Sequence, residues 1–178
     1  MPRKRLLLVS IVVMAGFLIS GCSMMAKMMG MGDLMGAMQN MDKVMKDMPA
    51  GERMAYMNKI QAETLRQGES LFKSADLGKN GQNCSSCHPG GATTGGEAQI
   101  PMRDYRVPIP TLVGASATFP KYKAPNDRVI TLQEMNNNCI KMFLGGKALE
   151  LNSDEAIALG MYISSLSNGE SVNVQAAK

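Results

Sequence analysis

Five consecutive residues carry the plainest chemistry in this 178-residue chain: Cys84-Ser85-Ser86-Cys87-His88. The pattern is C-x-x-C-H. Two thiols three positions apart can add to the two vinyl groups of one porphyrin, and a histidine directly after the second thiol is then held beside the iron as its proximal ligand. A C-x-x-C pair can also be a thioredoxin-like redox couple, and a zinc site is a third option that would need two or more further ligands. His88 is the only histidine in the chain, and it stands where haem attachment requires it. The sequence therefore predicts one covalent haem c on Cys84 and Cys87, with His88 as an iron ligand.

The chain starts Met1-Pro2-Arg3-Lys4-Arg5, continues with an apolar run from Leu6 to Ile19, and then reads Ser20-Gly21-Cys22. A basic start, an apolar stretch and small residues before a cut describe a secretory signal peptide. The run is short for a membrane span, which leaves an uncleaved anchor as the competing reading. Ile19-Ser20-Gly21-Cys22 resembles a bacterial lipobox, which implies lipid on Cys22 and a mature chain that begins there. Ser23, rather than Asp, follows it, which in Gram-negative lipoproteins implies the outer membrane. The expected location is thus the periplasmic side, lipid-anchored, with the membrane as one partner. Of 19 basic residues, Arg3, Lys4 and Arg5 leave with the leader, so 16 remain against 15 acidic ones. The mature charge is close to neutral and no basic stripe interleaves with aromatics. Nucleic acid is excluded as a partner.

Of the four cysteines, Cys139 is left over once Cys22, Cys84 and Cys87 are assigned. A spare thiol in an oxidising compartment marks a metal ligand or a reactive group, or else a buried, inert small hydrophobe. The sixth iron ligand could come from Cys139, from Met135 or Met142 on the same helical face, or from Met102. Met102 lies only 14 residues past His88, which is close in chain for the far side of a haem.

The elements that must position these residues are helices. Ala62 to Ser74 reads as an amphipathic helix in which Gly68 and Phe72 share a face, and a small residue there admits a close neighbour. Pro89 to Pro110 is rich in Gly and Pro and is expected as loop, continuing through Pro120 and Pro125. Thr131 and Glu134 form a capping box that starts a helix running to about Leu144, ended by Gly145-Gly146. A last helix is expected from Asn152 to about Leu166. Ahead of all this, residues 23–57 hold 12 of the 18 methionines, and Pro49-Ala50-Gly51 breaks the segment. It reads as a tether with an adhesive amphipathic helix. Cu(I) capture by thioethers and low-complexity disorder are the competing readings. The fold class is all-α: a leader (1–21), a methionine-rich extension, helical or disordered (22–61), a haem domain (62–167) and a polar tail (168–178).

The helix, haem motif, long loop, helix, helix order resembles the class I cytochrome c fold. Pro110-Thr111-Leu112-Val113-Gly114 resembles its proline segment, whose carbonyl accepts the proximal histidine's ring N–H. Asn137-Asn138-Cys139, Leu144-Gly145-Gly146-Lys147-Ala148-Leu149, Ser153, Glu155, Ala158 and Tyr162-Ile163 resemble the haem domain of thiosulfate dehydrogenases and, more distantly, the A subunit of SoxAX cytochromes. That resemblance implies Cys139 as the distal ligand. It departs in two ways: this chain has one C-x-x-C-H where those enzymes usually carry two haems, and Met135 and Met142 stand where the family has arginines suited to a sulfur oxyanion. The expected function is a monohaem cytochrome that passes electrons to redox partner proteins. A sulfur-oxidising enzyme of the thiosulfate dehydrogenase kind, or its electron-accepting subunit, is the alternative.

Overall fold

Pro49 separates the first two helices. The computed structural model describes residues 31–90, 92–167 and 169; the leader, Cys22 and nearly all of the polar tail lie outside the described residues. The chain divides into two compact units between Met57 and Asn58. In the first, α1 spans Met31–Met45 and α2 begins at Ala50 and runs to Lys73. The Pro49 carbonyl accepts from the Glu52 and Arg53 N–H groups at 2.9 and 3.2 Å, so the residue that ends one helix starts the next. The Arg53 guanidinium closes the end of α1 by donating to the Met48 and Met45 carbonyls. Met35, Met38, Met41 and Met45 are all exposed along α1. The sequence reading starts α2 at Ala62; the helix is a dozen residues longer. Residues 52–61 have no core face, but Glu, Arg, Met, Ala, Lys and Gln are strong helix formers and extend the helix without one.

The second unit is built on the far end of α2 and on α5, Asp154–Ser165. They cross at Gly68. A Cβ on that residue would lie 2.0 Å from the Ala158 carbonyl oxygen and 2.8 Å from the Tyr162 Cβ, so only glycine permits the approach. One turn on, Phe72 is fully buried, its ring 5.3 Å from that of Tyr162. Leu132, Ile140, Leu144, Leu159 and Ile163 complete this core. The N-cap of α5 is Ser153, whose side chain accepts from the Ala156 N–H, one residue later than the sequence suggested.

Between α2 and α5, α3 is one turn, Cys84–Cys87, and α4 spans Leu132–Met142. The capping box forms as expected. Thr131 N–H donates to Glu134 at 2.8 Å, and Glu134 N–H donates to Thr131 Oγ1 at 3.3 Å. Arg128, 2.6 Å away, joins the cap and holds the Glu134 carboxyl down at about 2, so the cap is charged at neutral pH. α4 ends two residues before Leu144: Gly145 takes a φ of +66°, and the Gly146 N–H turns back to the Ile140 carbonyl at 2.9 Å.

The long loop is more regular than its composition suggested. β1 (Gly96–Gln99) pairs antiparallel with β2 (Arg106–Ile109), and β3 (Lys121–Lys123) with β4 (Arg128–Ile130). In a two-stranded ribbon each strand keeps a free edge, so Pro108 costs the pairing little. These strands are short and the domain remains mostly helical. No helix among the described residues is long and apolar enough to cross a membrane.

Gly68→Ala is expected to lower stability by about 1–3 kcal/mol, because Ala158 backbone cannot yield to the added methyl. Gly51→Ala, in the same helix but with open space around it, should leave the midpoint unchanged or slightly raised. Thermal unfolding of the two variants checks the contrast.

Candidate haem site

Asn83 fixes the start of the C-x-x-C-H turn. Its side chain accepts from the Ser86 N–H at 3.0 Å while its Nδ2 donates to the Lys73 carbonyl, the last of α2, at 2.8 Å. One amide thus caps α3 and ties it to the end of α2. Opposite, Gly96 of β1 packs so closely that a Cβ there would stand 2.4 Å from the Cys87 carbonyl oxygen.

His88 leaves this turn with its ring 6.3 Å from that of Phe72. Its Nδ1 lies 3.1 Å from the Pro110 carbonyl oxygen. A carbonyl can only accept, so Nδ1 carries the proton and Nε2 keeps its lone pair. Burial lowers the His88 pKa, against a smaller upward pull from Pro110, so the ring is neutral at pH 7. This is the form that binds a metal. The Pro110 segment is held in turn by Thr111 Oγ1 donating to the Thr93 carbonyl at 2.8 Å and Leu112 N–H to the Ala92 carbonyl at 3.1 Å.

Cys84, Cys87, His88, Met135 and Cys139 line one cavity of about 470 Å³. Its walls are largely apolar, with Leu112, Phe119, Leu132, Leu144, Leu159 and Ile163 among them. That size and lining suit a flat apolar cofactor held by a few polar groups. Burial pushes Cys84 up to about 12, helped by Cys139, and Cys139 up to about 11, helped by Cys87, with Lys123 pulling the other way. These thiols are neutral and poorly solvated. Addition to vinyl groups would turn Cys84 and Cys87 into apolar thioethers that such walls accommodate. Thiolate at Cys139 would need a cation beside it, which an iron supplies. The donor set therefore fits a covalent haem. Among the described residues no cluster of three or more His, Cys, Asp or Glu could hold a zinc ion instead.

The structure separates the four sulfur candidates that the sequence left together. Met135 and Cys139 reach the cavity; Met142 is exposed one turn further along α4, and Met102 is fully exposed in the connection between β1 and β2. Two asparagines that the sequence marked only through the family resemblance hold α4 in place. Asn137 donates to the Leu149 carbonyl and accepts from the Leu149 N–H, both at 2.8 Å. Asn138 donates to the Asn126 side chain at 2.7 Å. Their flanking of Cys139 was visible in the sequence, but their partners were not.

Comparison with known proteins identifies a cytochrome c domain over much of the chain. The family model described as the SoxA/TsdA cytochrome c domain matches residues 67–172. Thiosulfate dehydrogenase from Psychrobacter arcticus is 39% identical over 88 residues, which is 49% of this chain and 23% of that protein. Thiosulfate dehydrogenase from Allochromatium vinosum is 34% identical over 102 residues, 57% of this chain and 35% of that one. The match thus spans only about a quarter to a third of the length of these relatives. The crystal structure of SoxXA from P. pantotrophus shares the fold, with a TM-score of 0.50 and 22% identity over 65% of this chain and 36% of that one.

Asn137→Ala should strip both Leu149 backbone groups of their partner inside the protein and cost roughly 1–3 kcal/mol. Chemical denaturation of the holoprotein measures this, and a change under about 0.5 kcal/mol would contradict the role assigned to the clasp.

Proposed function

The chain belongs to the SoxA/TsdA cytochrome c domain family, and from that premise we propose that it is a monohaem electron carrier ligated by His88 and Cys139. A c-type cytochrome domain carries haem covalently, and the one C-x-x-C-H assigns Cys84 and Cys87 to a single group. The observation that carries the reading is the His88–Pro110 hydrogen bond, which orients a neutral imidazole in a cavity that also holds three cysteines. When bound, haem c supplies a one-electron iron couple. The chain's own residues do the rest. Cys84 and Cys87 fix the group to α3. Pro110 sets the tautomer of His88 and raises its basicity as a ligand. Cys139 enters from α4, whose angle the two asparagine clasps determine. With His88 and Cys139 both committed, the iron would keep no open position for a substrate.

The second reading, a thiosulfate-oxidising enzyme or its electron-accepting subunit, is favoured by the names of the relatives. Against it stand the two expected arginine positions, held by Met135 at the cavity and by exposed Met142, and among the described residues no arginine lines the cavity. An electron carrier meets redox partner proteins, and the leader with Cys22 supports a lipid-anchored protein on the periplasmic side of the outer membrane.

Two experiments test these statements. Mature protein made with haem-maturation machinery should gain the mass of one haem and turn over no thiosulfate. In that protein, Cys139→Met should raise the reduction potential, and Cys139→Ala should change the ferric spectrum. An unaltered spectrum and potential would move the ligand to Met135, and thiosulfate turnover would favour the enzyme. Separately, Cys22→Ala should abolish lipid attachment and release the protein from the membrane fraction; unchanged attachment would refute the anchor.

A further inference from the structure

Lys121 and Lys123 stand two apart on β3 and therefore project from the same face, about 7 Å apart along the strand. Both are half-buried and both line the cavity. Tyr122 between them faces outward, where its hydroxyl donates to Asp127 at 2.9 Å. Lys121 is held in place: its Nζ donates to Thr118 Oγ1 at 2.7 Å and sits 4.5 Å over the centre of the Phe119 ring. Neither lysine makes an ion pair among the described residues, and no Asp or Glu lines the cavity. Arg106, whose charge acts on Cys87, is already paired with Glu97 at 3.2 Å. Two ammonium groups at an apolar wall, without an anion, are a costly arrangement. Burial, and then the neighbouring Lys123, lower the Lys121 pKa accordingly.

We propose that Lys121 and Lys123 form a built anion site for the two propionate carboxylates of the haem. The inference rests on the reading that haem occupies this cavity. The match is in number, sign and place: two cations, side by side, on one wall of a cavity whose other walls are apolar. The Asn126–Asn138 clasp links the β3–β4 connection to α4, so the carboxylate anchor and the Cys139 helix keep a fixed spacing. The same cations would also suit a free sulfur oxyanion, and the test separates the two.

The full-length Lys121→Met/Lys123→Met holoprotein is compared with wild type. Mass spectrometry first establishes covalent haem in wild type; its absence would overturn both this inference and the reading it rests on. With haem present, the propionate bending bands in the resonance Raman spectrum should shift to lower frequency in the variant. The reduction potential should fall, because a cation favours the reduced state, which carries one positive charge fewer. Lys121→Arg/Lys123→Arg should restore both. Each single variant should move its bands in the same direction, which keeps the inference readable if the double variant does not fold. Unshifted propionate bands would overturn it, whatever the potential does. If thiosulfate added to wild type then gives a saturable spectral change that the variant lacks, the lysines serve a free anion instead.

Discussion

His88 and Pro110 are 22 residues apart in the chain, and the 3.1 Å contact between them is the constraint from which the site follows. It decides which ring nitrogen carries the proton and so which one can meet a metal. It also requires that the glycine-rich stretch after the motif return to its starting point. The β1–β2 ribbon performs that return, with Gly96 against Cys87 on one side and the Pro110 segment pinned through Thr93 and Ala92 on the other. A loop of this composition has little reason to be ordered on its own; the histidine ring, backed by fully buried Phe72, gives it one.

The opposite side of the cavity depends on α4, an 11-residue helix that carries Cys139. A helix this short is marginal without tertiary contacts. Its N-terminus is held by the Thr131–Glu134–Arg128 cap, its middle by the two asparagine clasps, and its end by the Gly145 turn. The end of α4 also meets the chain leading into the haem motif: Asn80 donates to the Phe143 carbonyl at 2.8 Å, and Gly146 fits against the Leu77 carbonyl, where no side chain could. The residues before the motif therefore bind to the helix that faces it, and the two halves of the site are positioned by one set of contacts.

Cofactor and core are closely joined here. Leu132, Leu144, Leu159 and Ile163 belong both to the buried cluster and to the cavity lining. A domain of this size has one small core, so an apolar group filling that space adds to the burial that holds the helices together. At the α2–α5 crossing, Gly68, Ala158 and Tyr162 stay off the cavity lining, whereas Phe72, Leu159 and Ile163 of the same two helices form part of it.

Much of this was legible in the sequence because it is local. The C-x-x-C-H spacing, the Thr131–Glu134 cap, the break at Pro49 and the meaning of a glycine one turn before Phe72 each depend on residues a few positions apart. The Pro110 segment was legible through its resemblance to a known fold. Other features required the tertiary structure. Met102, Met135, Met142 and Cys139 are equivalent donors on paper, and helical periodicity puts three of them on one face. Packing alone brings Met135 and Cys139 to the cavity and leaves Met142 and Met102 in solvent. What Asn83, Asn137 and Asn138 hold is not legible until their partners, up to 12 residues away, come into contact. Lys121 and Lys123 read as two charges in a loop, because only the pairing of β3 with β4 turns them both to one side. The sequence by itself determined which chemistry this protein can hold, since covalent attachment needs a fixed spacing of reactive groups. The tertiary structure decided which of several similar side chains surround it, since that depends on contacts between segments distant in the chain.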